Sequence, residues 1–196
     1  PTITFCEEFQ KLKSKYGGDN GYLFKFGQSE YLSKYSFKIA LASSYEKYSN
    51  LSIQDSELKA ELTPPPGDFT MHGPDGQEIT GIKNVKLNYS TNWDYYIFCT
   101  SHKLDFRLFN DFEADSCLII KDRTAFSNEL GRAVNELVSL EQMEYGLVEY
   151  FDPVKHDRKG EPRIQFHKHF KYFYQNEHRH AFTPRTQSSL KEELVF

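Results

Sequence analysis

The segment RIQFHKHFKYFYQNEHRHAFTP, Arg163 to Pro184, concentrates the side chains that could do chemistry. It places aromatic rings, histidines, acid–base groups and arginine in one short run. From Tyr172 to Phe182 the residues alternate in a way that predicts a β-strand, with successive side chains on opposite faces. One face is expected to carry Gln175, Glu177 and Arg179, and the other Tyr174, Asn176, His178 and His180.

Both faces of this predicted strand are polar, whereas a strand in an ordinary core has at least one apolar face. We therefore expect at least one of the two faces to line a cleft. Gln175 and Glu177 form the most informative pair, because an amide beside a carboxylate can hold a ribose hydroxyl. The carboxylate can also stabilise the oxocarbenium ion that forms as a sugar becomes cationic.

Two earlier stretches could contribute to the same cleft. Lys25 lies in GYLFKFG, a short strand pattern, where a lysine is either an edge charge or a ligand contact. The run DYYIFCTS is the most apolar strand pattern in the chain, so we expect it at the centre of the sheet. It ends in Thr100 and Ser101, which places small hydroxyl groups where this strand leaves the core.

In chain order, these residues resemble the Arg–Ser–Glu class of ADP-ribosyltransferases. The resemblance implies that NAD is the substrate and that Glu177, with Gln175 two residues before it, orients the nicotinamide ribose. It further implies that Ser101, preceded by Thr100, steadies the cleft and that Lys25 contacts an NAD phosphate. The acceptor of the ADP-ribosyl group would be a macromolecule that the sequence does not identify.

The sequence departs from that class at two of the three motifs. A lysine stands where the class has arginine, and lysine lacks the bidentate guanidinium fork. The second motif reads Cys-Thr-Ser instead of Ser-Thr-Ser. Arg179 and Tyr174 complete the set of residues expected to bind the cofactor.

A second resemblance covers most of the chain, in the order FKFG, ASSYEKYSN, IFCTS, RLFNDFEADSCLII and KYFYQNEHR. This order is similar to that of an uncharacterised bacterial domain family with a late aromatic-x-Glu-x-Arg strand. Members often occur near mobile or defence genes, which implies a toxin or phage-defence setting. The family itself implies no established activity.

The histidines suggest a metal site as an alternative. His167 and His169 form one i, i+2 pair, and His178 and His180 form another. Two such strands could meet around a divalent cation. Because no cysteine or clustered aspartate stands at ligand spacing, we favour a polar rim of the cleft and predict no metal.

Two further functions remain open. A ribonuclease would use Glu177 as base, His178 as acid and Arg179 as phosphate clamp, with Tyr172 to Tyr174 stacking on bases. The net charge of −4 and the pI near 6.0 argue against a broad nucleic-acid surface, although a local groove would suffice. The other alternative is a non-enzymatic binding or sensor domain whose polar strand holds a ligand or partner.

The 196 residues predict a single α+β domain, with about six to seven strands in a mixed, mainly antiparallel sheet and three or four helices. Residues 5–16 predict an amphipathic helix that packs on this sheet. Aromatic residues make up 16% of a chain whose mean hydropathy is −0.67, so we expect aromatic rings to build the core. The final LKEELVF carries no stop signal, a pattern also expected of a fragment.

The cysteines and the apolar runs predict a compartment. Cys6, Cys99 and Cys117 follow no disulfide or zinc spacing, so we expect free thiols in a reducing cytoplasm. No apolar run approaches the length of a membrane span, so no membrane partner is expected.

Overall fold

The computed structural model describes residues 11, 14–16, 21–67, 70–154, 163–188 and 190–196. Most of the helix expected over residues 5–16 lies outside these residues, and so do Cys6 and the charged loop 155–162. Residues 11 and 14–16 are helical. In the part of the chain that the structure describes, no helix combines the length and the apolar character needed to cross a membrane.

The predicted α+β class is confirmed. Besides the helical residues 11 and 14–16, the structure has α-helices α1 (Ser29–Leu32), α2 (Arg107–Asp111) and α3 (Arg123–Leu137), together with 3₁₀ helices at Ala42–Lys47, Ile164–Phe166 and Phe170–Gln175. The described strands are β1 (Leu23–Gly27), β2 (Lys38–Leu41), β3 (Lys59–Leu62), β4 (Leu87–Ser90), β5 (Tyr96–Ser101), β6 (Ser116–Ile120), β7 (Leu140–Leu147), β8 (Glu149–Phe151), β9 (His167–His169), β10 (Glu177–Pro184) and β11 (Glu193–Val195).

Seven of these strands form one antiparallel sheet, and the remaining four form two small pairs, β3–β4 and β8–β9. Strand β5 is central, as its apolar sequence predicted, and Tyr96, Ile97 and Phe98 are at most 1% exposed. One edge of β5 pairs with β10 along its whole length, and β7 continues the sheet beyond β10. The sheet is therefore most regular on this side.

The other edge of β5 is shared by two strands that pair with different parts of it. Strand β2 pairs with Tyr96 and Ile97, whereas β1 pairs with Ser101. Among the described strands, none therefore pairs with residues 98–100 on this side. The sheet divides here into two arms, β2–β11 and β1–β6, with a gap between them.

Helix α3 covers one face of the sheet. It begins at Arg123, where the Asp122 carboxylate accepts a hydrogen bond of 2.9 Å from the Ala125 amide and so caps the first turn. Its buried Leu130 and Val134 pack on alternate residues of the central strands. Aromatic rings supply much of this core, as the composition predicted, among them Phe98, Phe126, Phe182 and Tyr96.

The strand expected from Tyr172 to Phe182 is only partly present. Residues Phe170–Gln175 form a 3₁₀ helix, Asn176 adopts a left-handed conformation with φ 45°, and the strand begins at Glu177. The His169 ring starts the 3₁₀ helix by accepting a hydrogen bond from the Lys171 amide. Asparagine tolerates left-handed backbone better than most residues, so Asn176 allows the reversal into β10.

From Glu177 onward the predicted alternation is confirmed. His178, His180 and Phe182 face α3, while Glu177, Arg179 and Ala181 face the opposite side. The Ser127 hydroxyl of α3 donates a hydrogen bond to the Arg123 carbonyl. The Ser127 oxygen is therefore free to accept a hydrogen bond from Nε2–H of His180, at 2.8 Å. This bond favours the neutral tautomer of His180 whose Nδ1 carries no proton. The ring centres of His178 and His180 lie 5.2 Å apart.

These two histidines should make the fold sensitive to acid. Burial lowers the pKa of His178 to about 4 and that of His180 to about 3, and Arg123 and the neighbouring imidazoles add to the effect. An unfolded histidine has a pKa near 6.5, so the unfolded chain takes up protons first as the pH falls. Stability present above pH ~6.5 should be lost towards pH ~4, at up to about 1.4 kcal/mol per histidine per pH unit.

Urea titrations between pH 7 and pH 4.5 will measure this loss. In His178→Phe, the slope of the unfolding free energy against pH should decrease by up to about 1.4 kcal/mol per pH unit, the contribution of one histidine. The matched control is His72→Phe, because His72 is exposed and lies outside the sheet. Equal slopes in wild type and His178→Phe would show that His178 does not resist protonation.

Candidate functional site

A cavity of about 580 Å³ lies where the sheet divides. Ligand pockets in proteins commonly have volumes of a few hundred to a thousand Å³. Much of the wall is aromatic, and a few polar groups converge on it. The cavity brings together five of the residues that the sequence singled out: Lys25, Thr100, Ser101, Gln175 and Glu177.

Ser101 and Glu177 reach the cavity from adjacent strands, because they are register partners in the β5–β10 pair. The Ser101 hydroxyl oxygen accepts from the Lys103 amide at 3.1 Å and lies 2.8 Å from the Gln175 carbonyl, to which it can donate. It therefore ties the end of β5 to the turn that precedes β10. Thr100 donates to the His178 carbonyl at 2.9 Å and supports the same pair of strands.

Gln175 reaches the cavity by a different route from the one expected. It ends a 3₁₀ helix and is not part of β10, so the prediction that it shares a strand face with Glu177 is wrong. Its amide nitrogen donates to the Ser52 carbonyl at 2.7 Å and fixes the side chain. Both residues nevertheless line the cavity, since the left-handed Asn176 redirects the chain between them.

Glu177 belongs to a buried ion network with Glu57, Lys168 and Arg179, each at most 5% exposed. The Arg179 guanidinium binds both oxygens of Glu57, at 2.6 and 3.0 Å, and its Nε donates to Glu177 Oε1 at 2.7 Å. Lys168 Nζ lies 3.0 Å from Glu177 Oε2 and 3.7 Å from Glu57 Oε1. Two cations and two anions thus balance within one cluster.

This balance keeps Glu177 ionised. Burial by itself would raise the pKa of the carboxyl, but Arg179 and Lys168 outweigh it and hold that pKa well below its ordinary value. Burial likewise opposes the charge on Lys168, yet Glu177 and Glu57 raise its pKa well above the usual range. Glu177 consequently presents a fixed negative charge to the cavity at neutral pH.

Lys25 stands outside the ion network although it lines the same cavity. Its Nζ donates to the Cys99 carbonyl at 3.0 Å and lies 4.6 Å from the centre of the Phe98 ring. No strand in the described part of the chain pairs with residues 98–100 on this edge, so Lys25 satisfies a carbonyl that the divided sheet leaves open. Burial lowers the pKa of Lys25, and Cys99 and Glu177 offset this only in part.

Cys99 lines the cavity but is not a candidate nucleophile. Burial raises the pKa of its thiol to about 12, and the nearby charge of Glu177 adds to this. The thiolate is the reactive form, so Cys99 is protonated and inert at neutral pH. Cys99 and Cys117 are free thiols, as predicted.

Two residues expected to bind the cofactor lie elsewhere. Arg179 is fully buried, and its donors are engaged by Glu57, Glu177 and the Gln165 carbonyl, so it supports the cavity from behind. The Arg107 guanidinium lies 3.6 Å from the centre of the Tyr174 ring, and Tyr174 packs against the hydrophobic cluster that contains Phe24 and Phe26. Neither side chain lines the cavity.

The arrangement expected of a ribonuclease is not assembled. His178 faces α3, whereas Glu177 and Arg179 face the opposite side of the sheet, so the three cannot act on one phosphate. The two histidine pairs also lie apart, since β9 pairs with β8 and β10 pairs with β5 and β7. Among the residues that the structure describes, no group of three or more His, Cys, Asp or Glu side chains could hold a metal ion.

Sequence reasoning missed Glu57 and Lys168. Glu57 precedes β3, far from β10 in sequence. Lys168 lies between His167 and His169, which were considered as metal ligands. One usable signal was Arg179 itself, because an arginine on a strand flanked by buried aromatic residues needs acidic partners. The sequence did not identify which acid would supply the second carboxylate.

Comparison of the chain with protein-family models, with curated proteins and with solved structures gives no match.

The ion network should be sensitive to the loss of one partner. Replacing Glu57 by Gln leaves the Arg179 guanidinium without its bidentate anion in a dry environment, which should reduce the free energy of unfolding by about 3–5 kcal/mol. The control is Glu61→Gln, which removes an exposed ion pair with Lys86 and should change stability by less than about 1 kcal/mol. Urea titration measures both, and equal effects would contradict the structural role of the network.

Proposed function

We propose that the chain binds NAD in the cavity at the divided sheet and transfers its ADP-ribosyl group to an acceptor. The observation that carries this proposal is the convergence of three distant segments. Lys25, Ser101 and Glu177 lie far apart in sequence, yet all three line one cavity. They are the positions to which the resemblance to ADP-ribosyltransferases assigns the phosphate contact, the cleft serine and the glutamate.

The charges around the cavity suit such a substrate. Lys25 belongs to no ion pair among the described residues, so it can receive a phosphate without first losing a carboxylate. The aromatic walls, which include Phe24, Tyr45 and Phe112, offer apolar surface to flat rings. Together, these features favour an elongated ligand that has an anionic centre and aromatic ends.

Glu177 would act on the nicotinamide ribose. As the bond from ribose C1′ to the nicotinamide nitrogen breaks, its electron pair leaves with nicotinamide and the sugar becomes cationic. A carboxylate fixed beforehand stabilises this charge without reorganising. Arg179 donates to one Glu177 oxygen and Lys168 to the other, and the Cys99 thiol is a third hydrogen-bond partner of this carboxylate. Of the about four lone-pair positions of a carboxylate, one therefore remains for a ribose hydroxyl.

A second candidate is a non-catalytic ligand-binding domain. It is favoured by the same two contacts, because Lys168 and Arg179 neutralise much of the charge that Glu177 would direct at a developing cation. In this role, the ion network serves only to hold the cavity wall. Ligand binding would then occur without breakdown of the ligand.

We also propose that the protein acts in the cytoplasm of a bacterium, in a toxin or phage-defence setting. The free thiols of Cys99 and Cys117 support a reducing compartment. The setting rests on the resemblance to bacterial domains found near defence genes. The acceptor is a macromolecule that the cavity residues do not identify.

Nicotinamide release from labelled NAD, with cell extract as acceptor, distinguishes these candidates. Glu177→Gln should lower turnover about a hundred- to thousandfold, with an increase of about 2.7–4 kcal/mol in the activation free energy, and should change NAD affinity little. Glu57→Gln is the matched control, because it breaks the same ion network but does not line the cavity.

The two variants should lose comparable stability, and the loss of turnover should be much larger in Glu177→Gln. Turnover is compared well below both melting temperatures so that unfolding does not contribute. Equal turnover in the two variants would remove Glu177 from the chemistry. NAD binding without nicotinamide release in the wild type would support the ligand-binding domain.

Lys25→Ala should weaken NAD binding, because a charge-assisted contact with a phosphate is lost. Such contacts contribute about 1.5–3 kcal/mol, so Kd should increase roughly ten- to a hundredfold. Isothermal titration calorimetry measures the change. Lys86→Ala is the control, since Lys86 lies away from the cavity. An unchanged Kd in Lys25→Ala would show that this amine does not meet the ligand.

A further inference from the structure

Three lysines line the cavity. Lys168 is held as a cation by Glu177 and Glu57 in the buried ion network, whereas the surroundings of the other two, Lys25 and Lys38, differ in a way that has chemical consequences. Lys38 forms an ion pair with Glu193, and its side chain is 48% exposed. Burial is the largest single influence and opposes the charge on Lys38, but Glu193 and Tyr48 together outweigh it and raise the pKa of this amine. Lys38 is therefore protonated and carries no lone pair that could attack a ligand.

Lys25 has no such partner. Among the described residues, no carboxylate forms an ion pair with it, and Glu177, which raises its pKa, is held by Arg179 and Lys168. Its Nζ donates one hydrogen bond to the Cys99 carbonyl at 3.0 Å and lies over the Phe98 ring. Burial lowers the pKa of this amine. A lysine desolvated in an apolar pocket is the type of lysine that forms covalent adducts with carbonyl compounds.

The cavity walls indicate which carbonyl compounds would enter. Aromatic residues form much of the lining that Lys25 shares, and flat rings pack well against such walls. They include Tyr31, Tyr45 and Phe112. We propose that Lys25 is a carbonyl-reactive amine that captures aromatic aldehydes in this cavity as an imine.

The reaction balances without a cofactor. The Lys25 nitrogen lone pair attacks the aldehyde carbon, and the carbonyl π electrons move to oxygen. One proton moves from nitrogen to this oxygen and gives a carbinolamine. The hydroxyl then leaves as water with the second nitrogen proton, and a carbon–nitrogen double bond remains. An anionic ligand would stabilise the protonated form of Lys25, which is not nucleophilic. We therefore expect imine formation only when no anion occupies the cavity.

Reductive trapping tests the proposal and requires neither NAD nor turnover. The full chain is incubated at pH 7 with limiting benzaldehyde and sodium cyanoborohydride, which reduces the imine to a stable benzylamine. Peptide mapping by mass spectrometry then gives the labelling rate of each lysine. Benzaldehyde carries no charge, so the rates report the state of the amine and the fit of the ring, without electrostatic steering.

We expect Lys25 to be labelled several-fold faster than Lys38, because burial lowers the pKa of Lys25 whereas the pKa of Lys38 is raised beside Glu193. The preference should shrink as the pH rises past the pKa of Lys38, which lies above its ordinary value beside Glu193, because both amines are then neutral. Lys38→Met should leave the labelling of Lys25 unchanged. Labelling of Lys25 no faster than of Lys38, or of neither residue, would overturn the proposal, whether or not the protein consumes NAD.

Discussion

The fully buried guanidinium of Arg179 is the constraint on which the site depends. Removing such a charge from water costs several kcal/mol, and only well-placed anions offset this. Glu57 supplies a bidentate partner from the segment before β3, and Glu177 supplies another from the same strand. Lys168, from β9, then balances the second carboxylate. Four side chains from three segments are thus stable only together, and they fix the layer opposite α3 to the sheet.

The cavity results from this fixed layer and from the divided edge of β5. A regular sheet would have placed a partner strand beside residues 98–100, and no space would remain. Here β1 and β2 pair with opposite ends of β5, and Lys25 satisfies the Cys99 carbonyl between them. The gap in backbone pairing and the amine that lines it therefore have one origin. As a result, the Glu177 carboxylate and Lys25, which forms no ion pair among the described residues, line the same cavity.

Strand β10 resolves its polar sequence differently on its two faces. On the side of α3, His178 and His180 are buried as neutral rings, and burial holds their pKa values low. On the other side, Glu177 and Arg179 are buried as ions because each has a partner of opposite charge. Polar alternation thus predicted a cleft correctly for the Glu177 face. On the histidine face, the same polar pattern belongs to a buried layer in which His178 and His180 remain neutral.

The sequence by itself determined the α+β class, the central position of the apolar β5 and the alternation of β10 from Glu177 onward, because these follow from local periodicity. It also indicated Lys25, Ser101 and Glu177 as candidate site residues. Tertiary structure alone decided that Gln175 ends a 3₁₀ helix, that Arg179 lies behind the cavity and that Glu57 and Lys168 complete the ion network. Those outcomes depend on which distant charges meet once water is excluded, and no local pattern encodes such a meeting.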